Sequence, residues 1–239
     1  MTNGLIAKDK DIVVPGEVLA TGLDYLPGYG TYRAGDMIHA NMLGLTSIEG
    51  RTVKLIPLSG KYIPKTGDVI IAKVFDVTFS GWRAEVNSAY TALLSLKEGT
   101  SNFVERGADL TQYYTFGDYM VCRIVNVTSQ NLIDLTMRGP GLRKLSEGRI
   151  MTITPCKVPR VIGKKGSMIA MIKDATECQI IVGQNGWIWM VGLDGKKEAI
   201  ASQAIKLIER EAHTSGLTER VKEFLEKETG KKLTIAESE

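Results

Sequence analysis

The chain has 239 residues, with 30 Lys and Arg against 27 Asp and Glu for a formal net charge of +3; hydrophobic residues make up 44% and charged residues 24%. These ordinary proportions exclude extended disorder and leave room for one large or two to three small domains. No apolar run approaches the roughly 18 to 20 residues of a membrane span, and Met1 to Lys10 lacks the pattern of a secretory signal, so a cytoplasmic protein is expected, away from membranes. Cys122, Cys156 and Cys178 each stand alone and read as buried thiols rather than a disulfide frame or a metal knuckle.

In chain order, short runs of β-branched and aromatic residues dominate residues 11–138. Ile12 to Val14, Met37 to Leu45 and Thr52 to Pro57 read as strands of a small β domain over residues 1–62, with turns at Pro15-Gly16, Gly28-Tyr29-Gly30, Ala34-Gly35-Asp36 and Glu49-Gly50. Its apolar Val13, Val14, Pro15, Leu19, Ile56 and Leu58, without a basic cluster, suit protein contact better than nucleic acid. Residues 63–138 give five further strands, Val69 to Thr78, Trp82 to Asn87, Tyr90 to Leu96, Tyr119 to Thr128 and Leu132 to Met137. Five strands with a long connection after the third have the rhythm of an OB-type barrel. Residues 139–148 are Gly, Pro and charge, the composition of a hinge or linker.

The period then changes. Over residues 149–213, Ile150 to Thr154 reads as a strand, Ser167 to Thr176 as a helix, Gln179 to Val182 and Trp187 to Val191 as a hairpin, and Ile200, Ala204, Leu207 and Ile208 as the stripe of a long helix. A short helix before Gly163 completes the order strand, helix, helix, strand, strand, helix. Residues 214–239 add an amphipathic helix with Val221, Phe224 and Leu225 on one face, Thr218 as its expected cap and Gly230 as its stop, followed by a charged tail. The chain is therefore expected to be a multidomain α+β protein.

Charge singles out one stretch. Eight basic residues, Arg143, Lys144, Arg149, Lys157, Arg160, Lys164, Lys165 and Lys173, fall within residues 143–173, whereas residues 1–142 hold 13 bases against 14 acids. Such a concentration suits a polyanion. Within it stands Val161-Ile162-Gly163-Lys164-Lys165-Gly166-Ser167-Met168-Ile169, two glycines around two lysines at the mouth of a helix. Glycines permit close approach of a sugar-phosphate chain, and the helix N-terminus and both ammonium groups favour its charge. A Walker-type loop would need four residues between the glycines and a following Lys-Ser or Lys-Thr.

The segment resembles a KH domain, whose Gly-x-x-Gly loop clamps single-stranded nucleic acid. That resemblance makes Arg160, Gly163, Lys164, Lys165, Gly166 and Ser167 candidate RNA-binding residues. From Gly67 to Arg138 the chain resembles the S-one RNA-binding domain, an OB fold, through Gly67-Asp68-Val69, Gly81, Gly117-Asp118 and Ile133-Asp134-Leu135-Thr136-Met137. That family stacks bases on two aromatics flanking the glycine turn and a His in the third strand, where this chain has Ser80, Arg83 and Ser95. Phe79 and Trp82 fall one residue away, on the other face or in the turn, and Phe79 reads as core. Arg83 and Arg123 are candidates for phosphate contact.

Taken with Ile12-Val13-Val14-Pro15-Gly16-Glu17, Val158-Pro159-Arg160 and Val182-Gly183-Gln184-Asn185-Gly186-Trp187, the order of three domains resembles the RNA-binding cap subunits of the archaeal exosome, the family of ribosomal RNA-processing protein four. The resemblance implies single-stranded RNA as ligand and three caps on a hexameric phosphorolytic ring. It implies docking through the N-terminal domain, for which Val13, Val14, Pro15 and Gly16 are the candidates, and a packing role for Asn185 between barrel and KH domain. The ring would perform 3′ to 5′ phosphorolysis or tailing. His39, His213 and the spread acids, Asp76 and Glu85 among them, form no pattern for a catalytic or metal site, so no catalytic residue, metal or cofactor is expected. The alternatives are a transcription or translation factor built from the same modules, or a metabolic enzyme whose loop holds a substrate phosphate.

Overall fold

The computed structural model describes residues 4–100, 109–212, 214 and 216–231. The chain divides into two compact units, Met1–Gly60 and Lys61–Glu239.

In the first unit, eight strands form two four-stranded sheets. These strands are β1 (Gly4–Leu5), β2 (Ile12–Val13), β3 (Val18–Thr21), β4 (Leu26–Pro27), β5 (Thr31–Ala34), β6 (Met37–Ala40), β7 (Gly44–Glu49) and β8 (Thr52–Pro57), in the orders β1-β3-β6-β5 and β2-β7-β8-β4. Between them Val13, Leu19, Ala40, Val53 and Leu55 form the core. The sequence run Met37 to Leu45 is two strands, because the chain changes sheets at Asn41–Leu43. Gly44 permits the crossing: a Cβ there would lie 2.8 Å from the Ile56 carbonyl oxygen. Strands β3 and β5 are additions to the sequence reading; β5, Thr-Tyr-Arg-Ala, has no clear apolar alternation to announce it.

The second unit opens with the barrel. Strands β9 (Val69–Thr78), β10 (Gly81–Glu85), β11 (Thr91–Ser95), β12 (Tyr119–Val127) and β13 (Ile133–Thr136) run in the order β13-β11-β10-β9-β12, and β12 pairs with β13 to close the ring. Inward-facing Ile70, Ala72, Val74, Ala84, Leu94, Met120, Cys122, Ile124 and Leu135 fill it. Trp82 is fully buried, donates through Nε1 to the Tyr114 carbonyl at 3.1 Å and meets the Tyr114 ring edge-on at 5.0 Å. Phe79 corrects the sequence reading: it is 95% exposed at the β9–β10 turn, not core. Tyr62 belongs to the barrel core and donates to Asp68 Oδ2 at 2.6 Å, so this unit starts ahead of residue 63.

The Gly- and Pro-rich stretch expected as a hinge is structured. Arg143–Lys144 forms β14 against Val121 and Met120, and Leu145 is buried. Beyond it come β15 (Arg149–Thr152), α1 (Val158–Ile162), α2 (Ser167–Thr176), β16 (Gln179–Val182), β17 (Trp187–Val191) and α3 (Gly195–Glu211), with sheet order β15-β17-β16. Alternation along β17 is buried on both sides. Ile188 and Met190 join the helices over Val158, Val161, Ile172 and Ile205, while Trp187 and Trp189 pack on Ile71, Val121 and Leu145 of the barrel side. A further helix, α4 (Leu217–Thr229), places Leu217, Val221 and Leu225 in the same helical core, so this helix belongs to the domain. Its cap is Gly216 with φ +69°, and Thr218 lies inside the helix; Gly230, also at φ +69°, stops it.

Candidate nucleic-acid interface

The turn joining α1 to α2 is built around Gly163. At φ +77° it lies against the start of α2, where a Cβ would sit 2.6 Å from Met168 Cβ and 2.7 Å from Met168 N. Any side chain would therefore push the two helices apart. Lys165 and Gly166 follow at φ 52° and φ 84°, so three of four loop residues have left-handed backbone. Buried Val161 and Met168 anchor either side, leaving Lys164 and Lys165 exposed. No side chain caps the N-terminus of α2, whose Ser167 N–H donates to the Lys164 carbonyl within the turn; the positive end of its dipole lies beside two ammonium groups.

Of the sequence candidates, Arg160, Gly163, Lys164, Lys165, Gly166 and Ser167 come together here. The wider basic cluster divides. Lys144 is paired with Asp118, and Lys157 Nζ donates to the Glu209 carbonyl at 2.9 Å. The Glu209 carboxylate in turn accepts from Thr154 N–H at 2.7 Å and its hydroxyl at 2.8 Å, tying the entry to α1 onto α3. Arg160, Lys164, Lys165 and Lys173 are exposed.

Arg83 and Arg123 lie on the barrel. Arg83 sits opposite Asp76, Nη1 to Oδ2 3.9 Å, and Arg123 opposite Val69. Seven residues of β9 separate those partners, roughly 23 Å at about 3.3 Å per residue, so the two arginines do not share one contact. Asp76 and Glu85 do not pair either: their cross-strand neighbours are Arg83 and Lys73.

Asn185 fixes the barrel to the sheet carrying this loop. Fully buried, it donates to the Ile71 carbonyl at 2.7 Å and the Val86 carbonyl at 2.9 Å, and its Oδ1 accepts from Ile71 N–H at 3.3 Å. Asn87 Nδ2 donates to the Asn185 carbonyl at 2.7 Å. Tyr119 extends the seam, meeting Trp187 edge-on at 5.9 Å with Lys73 Nζ 5.7 Å from its own ring centre.

At the far end of α2, Glu177 accepts hydrogen bonds from Lys197 and Lys231. Those two bonds hold its carboxyl down to about 2 from an ordinary 4.5, joining α2, α3 and the end of α4. Burial pushes the Cys156 thiol up.

In the N-terminal unit, Val13 corrects the docking set: it is 1% exposed and belongs to the core, whereas Val14, Pro15 and Gly16 are exposed. The sequence reading missed a row across the outer face of one sheet, where Ile12 pairs with Leu45 and Leu45 with Ile56. Ile12 is 67% and Ile56 51% exposed. Knowing that β2, β7 and β8 are neighbours is what reveals it. His39 stacks on Tyr32 at 5.5 Å and meets the Gly16 carbonyl through Nδ1 at 3.1 Å; His213 lies outside the described residues. Among the described residues no group of three His, Cys, Asp or Glu is arranged to hold a metal ion, and no helix is long and apolar enough to cross a membrane.

Two family profiles match the chain. Exosome RNA binding protein RRP4 N-terminal domain covers residues 10–59 and KH domain covers residues 148–194. The chain is 47% identical over 222 residues to the exosome complex component Rrp4 of Methanothermus fervidus, covering 92% of this chain and 97% of the relative. With the protein of the same name from Thermococcus kodakarensis it shares 42% over 224 residues, covering 92% and 87%. A crystal structure described as that of an exosome complex RNA-binding protein superposes with a TM-score of 0.65 at 38% identity, over 71% of this chain and 97% of the other. The chain belongs to the Rrp4 family of exosome components.

Proposed function

We propose that this Rrp4-family chain is an RNA-binding cap of an exosome complex, capturing single-stranded RNA at the Gly163–Gly166 loop and leading it to a separate catalytic assembly. The observation that carries the reading is the loop itself: a glycine pressed onto α2, left-handed backbone at three positions and exposed lysines at an uncapped helix N-terminus. This arrangement suits a phosphate chain rather than a catalysed reaction. The cap is non-catalytic and cytoplasmic, and three copies sit on a hexameric phosphorolytic ring. Arg160 and Ser167 extend the loop contact; Arg83 and Arg123 provide separate phosphate contacts on the barrel.

Docking belongs to the N-terminal unit, through the Ile12, Leu45 and Ile56 row with Val14, Pro15 and Gly16 at its margin. Aliphatic side chains aligned across three strands, with Ile12 and Ile56 exposed and Leu45 half-buried between them, offer a contiguous apolar face of the sort a protein partner covers. Folded Lys164→Asp with Lys165→Asp is expected to weaken single-stranded RNA binding several-fold and to lower the salt slope by about 0.7 for each phosphate that is no longer neutralised. Unchanged affinity and slope would remove the loop from the binding site. RNA turnover by the isolated chain that disappears on a point substitution within it would defeat the non-catalytic reading.

A further inference from the structure

Three phenylalanines stand out from the barrel: Phe79 is 95% exposed, Phe116 62% and Phe75 40%. Phe75 sits at a break in register. Arg83 pairs with Asp76 and Ala84 with Val74, which leaves Phe75 without a partner on β10. Strict alternation from Ile70, Ala72 and Val74, all in the barrel core, would carry Asp76 inward. The bulge keeps Asp76 outside as well, beside Phe75 and facing Arg83, and turns Val77 back against the core. Bulges of this type re-aim side chains and concentrate beside functional sites.

Phe116 comes from the opposite side of the same strand. Val74 N–H donates to the Asp118 carbonyl at 2.8 Å and Gly117 N–H to the Val74 carbonyl at 2.9 Å. Phe75 and Phe116 therefore each adjoin this doubly bonded junction. Phe79 lies four residues farther along, roughly 13 Å at about 3.3 Å per residue. Arg83 and Lys73 flank the rings on neighbouring strand positions.

Isolated phenyl rings interleaved with cations provide π-faces that stack on any base beside charges that attract a backbone. A protein partner would be better served by a contiguous aliphatic face, whereas here Asp76 and Arg83 interrupt the apolar surface. We propose that Phe75, Phe79 and Phe116 form a sequence-tolerant stacking surface for the bases of single-stranded RNA. They would do so from positions other than Ser80, Arg83 and Ser95, where the S-one resemblance placed that task. The inference rests on the RNA-binding reading above and adds to it a second, base-directed contact apart from the glycine loop.

The test uses the full-length chain with a labelled oligouridylate and an abasic oligonucleotide of equal length, at one salt concentration. Phe75→Ala with Phe116→Ala removes two stacking faces and should lower affinity for the oligouridylate by at least about 30-fold while leaving the abasic strand unaffected. Phe79→Trp should retain affinity and show quenching on binding that the parent lacks, while Phe79→Leu should behave as Phe79→Ala. The sites are exposed, so an unchanged unfolding transition serves as the folding control. If the parent chain binds neither strand, the RNA-binding reading itself fails. If it binds but the Phe variants bind equally well, or lose both strands equally, stacking alone is overturned. Loss of exosome assembly with RNA affinity intact would assign the rings to a protein partner.

Discussion

The N-terminal unit exposes Ile12, Val14, Leu26 and Ile56 and contains no phenylalanine, whereas the barrel exposes Phe75, Phe79 and Phe116. In the first region Ile12 and Ile56 line up through Leu45 across paired strands, and in the second the three rings stand apart among charged neighbours, with Leu93, Val125 and Leu132 exposed elsewhere on the barrel. Hydrophobic exposure thus has two meanings in one chain. A continuous aliphatic row loses most by staying wet and gains most from a dry protein contact; a lone phenyl ring offers a flat face that tolerates water around it.

The largest expected effect breaks the first half of that contrast. Ile12→Asp with Ile56→Asp places two charges in the proposed docking row while leaving the core untouched. If each site costs at least about 2 kcal/mol at the interface, association with the proposed catalytic ring should weaken on the order of 1,000-fold. RNA affinity should be unchanged. Co-elution undiminished at low micromolar concentration would show that another surface docks.

A second substitution compares these open surfaces with the closed seam between barrel and KH domain. Asn185→Ala leaves the Ile71 N–H and the Ile71 and Val86 carbonyls short of a partner in a buried place. At about 1–3 kcal/mol for each orphaned group, after partial relaxation, we expect a loss of about 3 kcal/mol. Calorimetry should show the main transition lowered by roughly 6 to 12 °C. A shift below the reproducibility of the scan would mean that aromatic packing alone holds the seam.

The smallest effect sharpens the description of the KH domain's outer support. Glu177 has its carboxyl held from 4.5 down to about 2 by Lys197 and Lys231. Its contribution is present above the unfolded value and is lost as pH falls through the folded one, between about 4.5 and about 2. Glu177 is exposed and screened, so the change is modest. Glu177→Gln should flatten the stability profile in that window and leave neutral pH nearly unaffected. An identical acid profile in both proteins would show that the pairs contribute nothing in solution.

Much of the second unit was legible because its periods are strong. Val69–Thr78, Ser167–Thr176 and both strands of the Gly183–Gly186 hairpin have the residues expected from sequence. What escaped depends on neighbours that the local pattern does not specify. Phe79 resembles a core residue until the turn at Ser80 directs it outward, and the bulge at Phe75 holds Asp76 outside where strict alternation would carry it inward. Val13 differs from Ile12 and Val14 only in parity, so a strand of two residues could not be assigned an inner face. The loop glycines were recognisable as a motif, but the need for Gly163 lies in its contact with Met168. Residues 139–148 read as a hinge by composition, yet pairing of Arg143–Lys144 with β12 makes them part of the sheet.

That β17 is buried on both faces has a thermodynamic consequence. One strand serves two cores, so the KH domain cannot loosen without uncovering Ile71 and Val121 of the barrel. A ligand held by the glycine loop alone should therefore protect the barrel through mass action, by about 2.7 kcal/mol at one hundred times its dissociation constant. Trp82, sealed in the barrel core far along the chain from that loop, becomes a reporter of occupancy at a site it never touches.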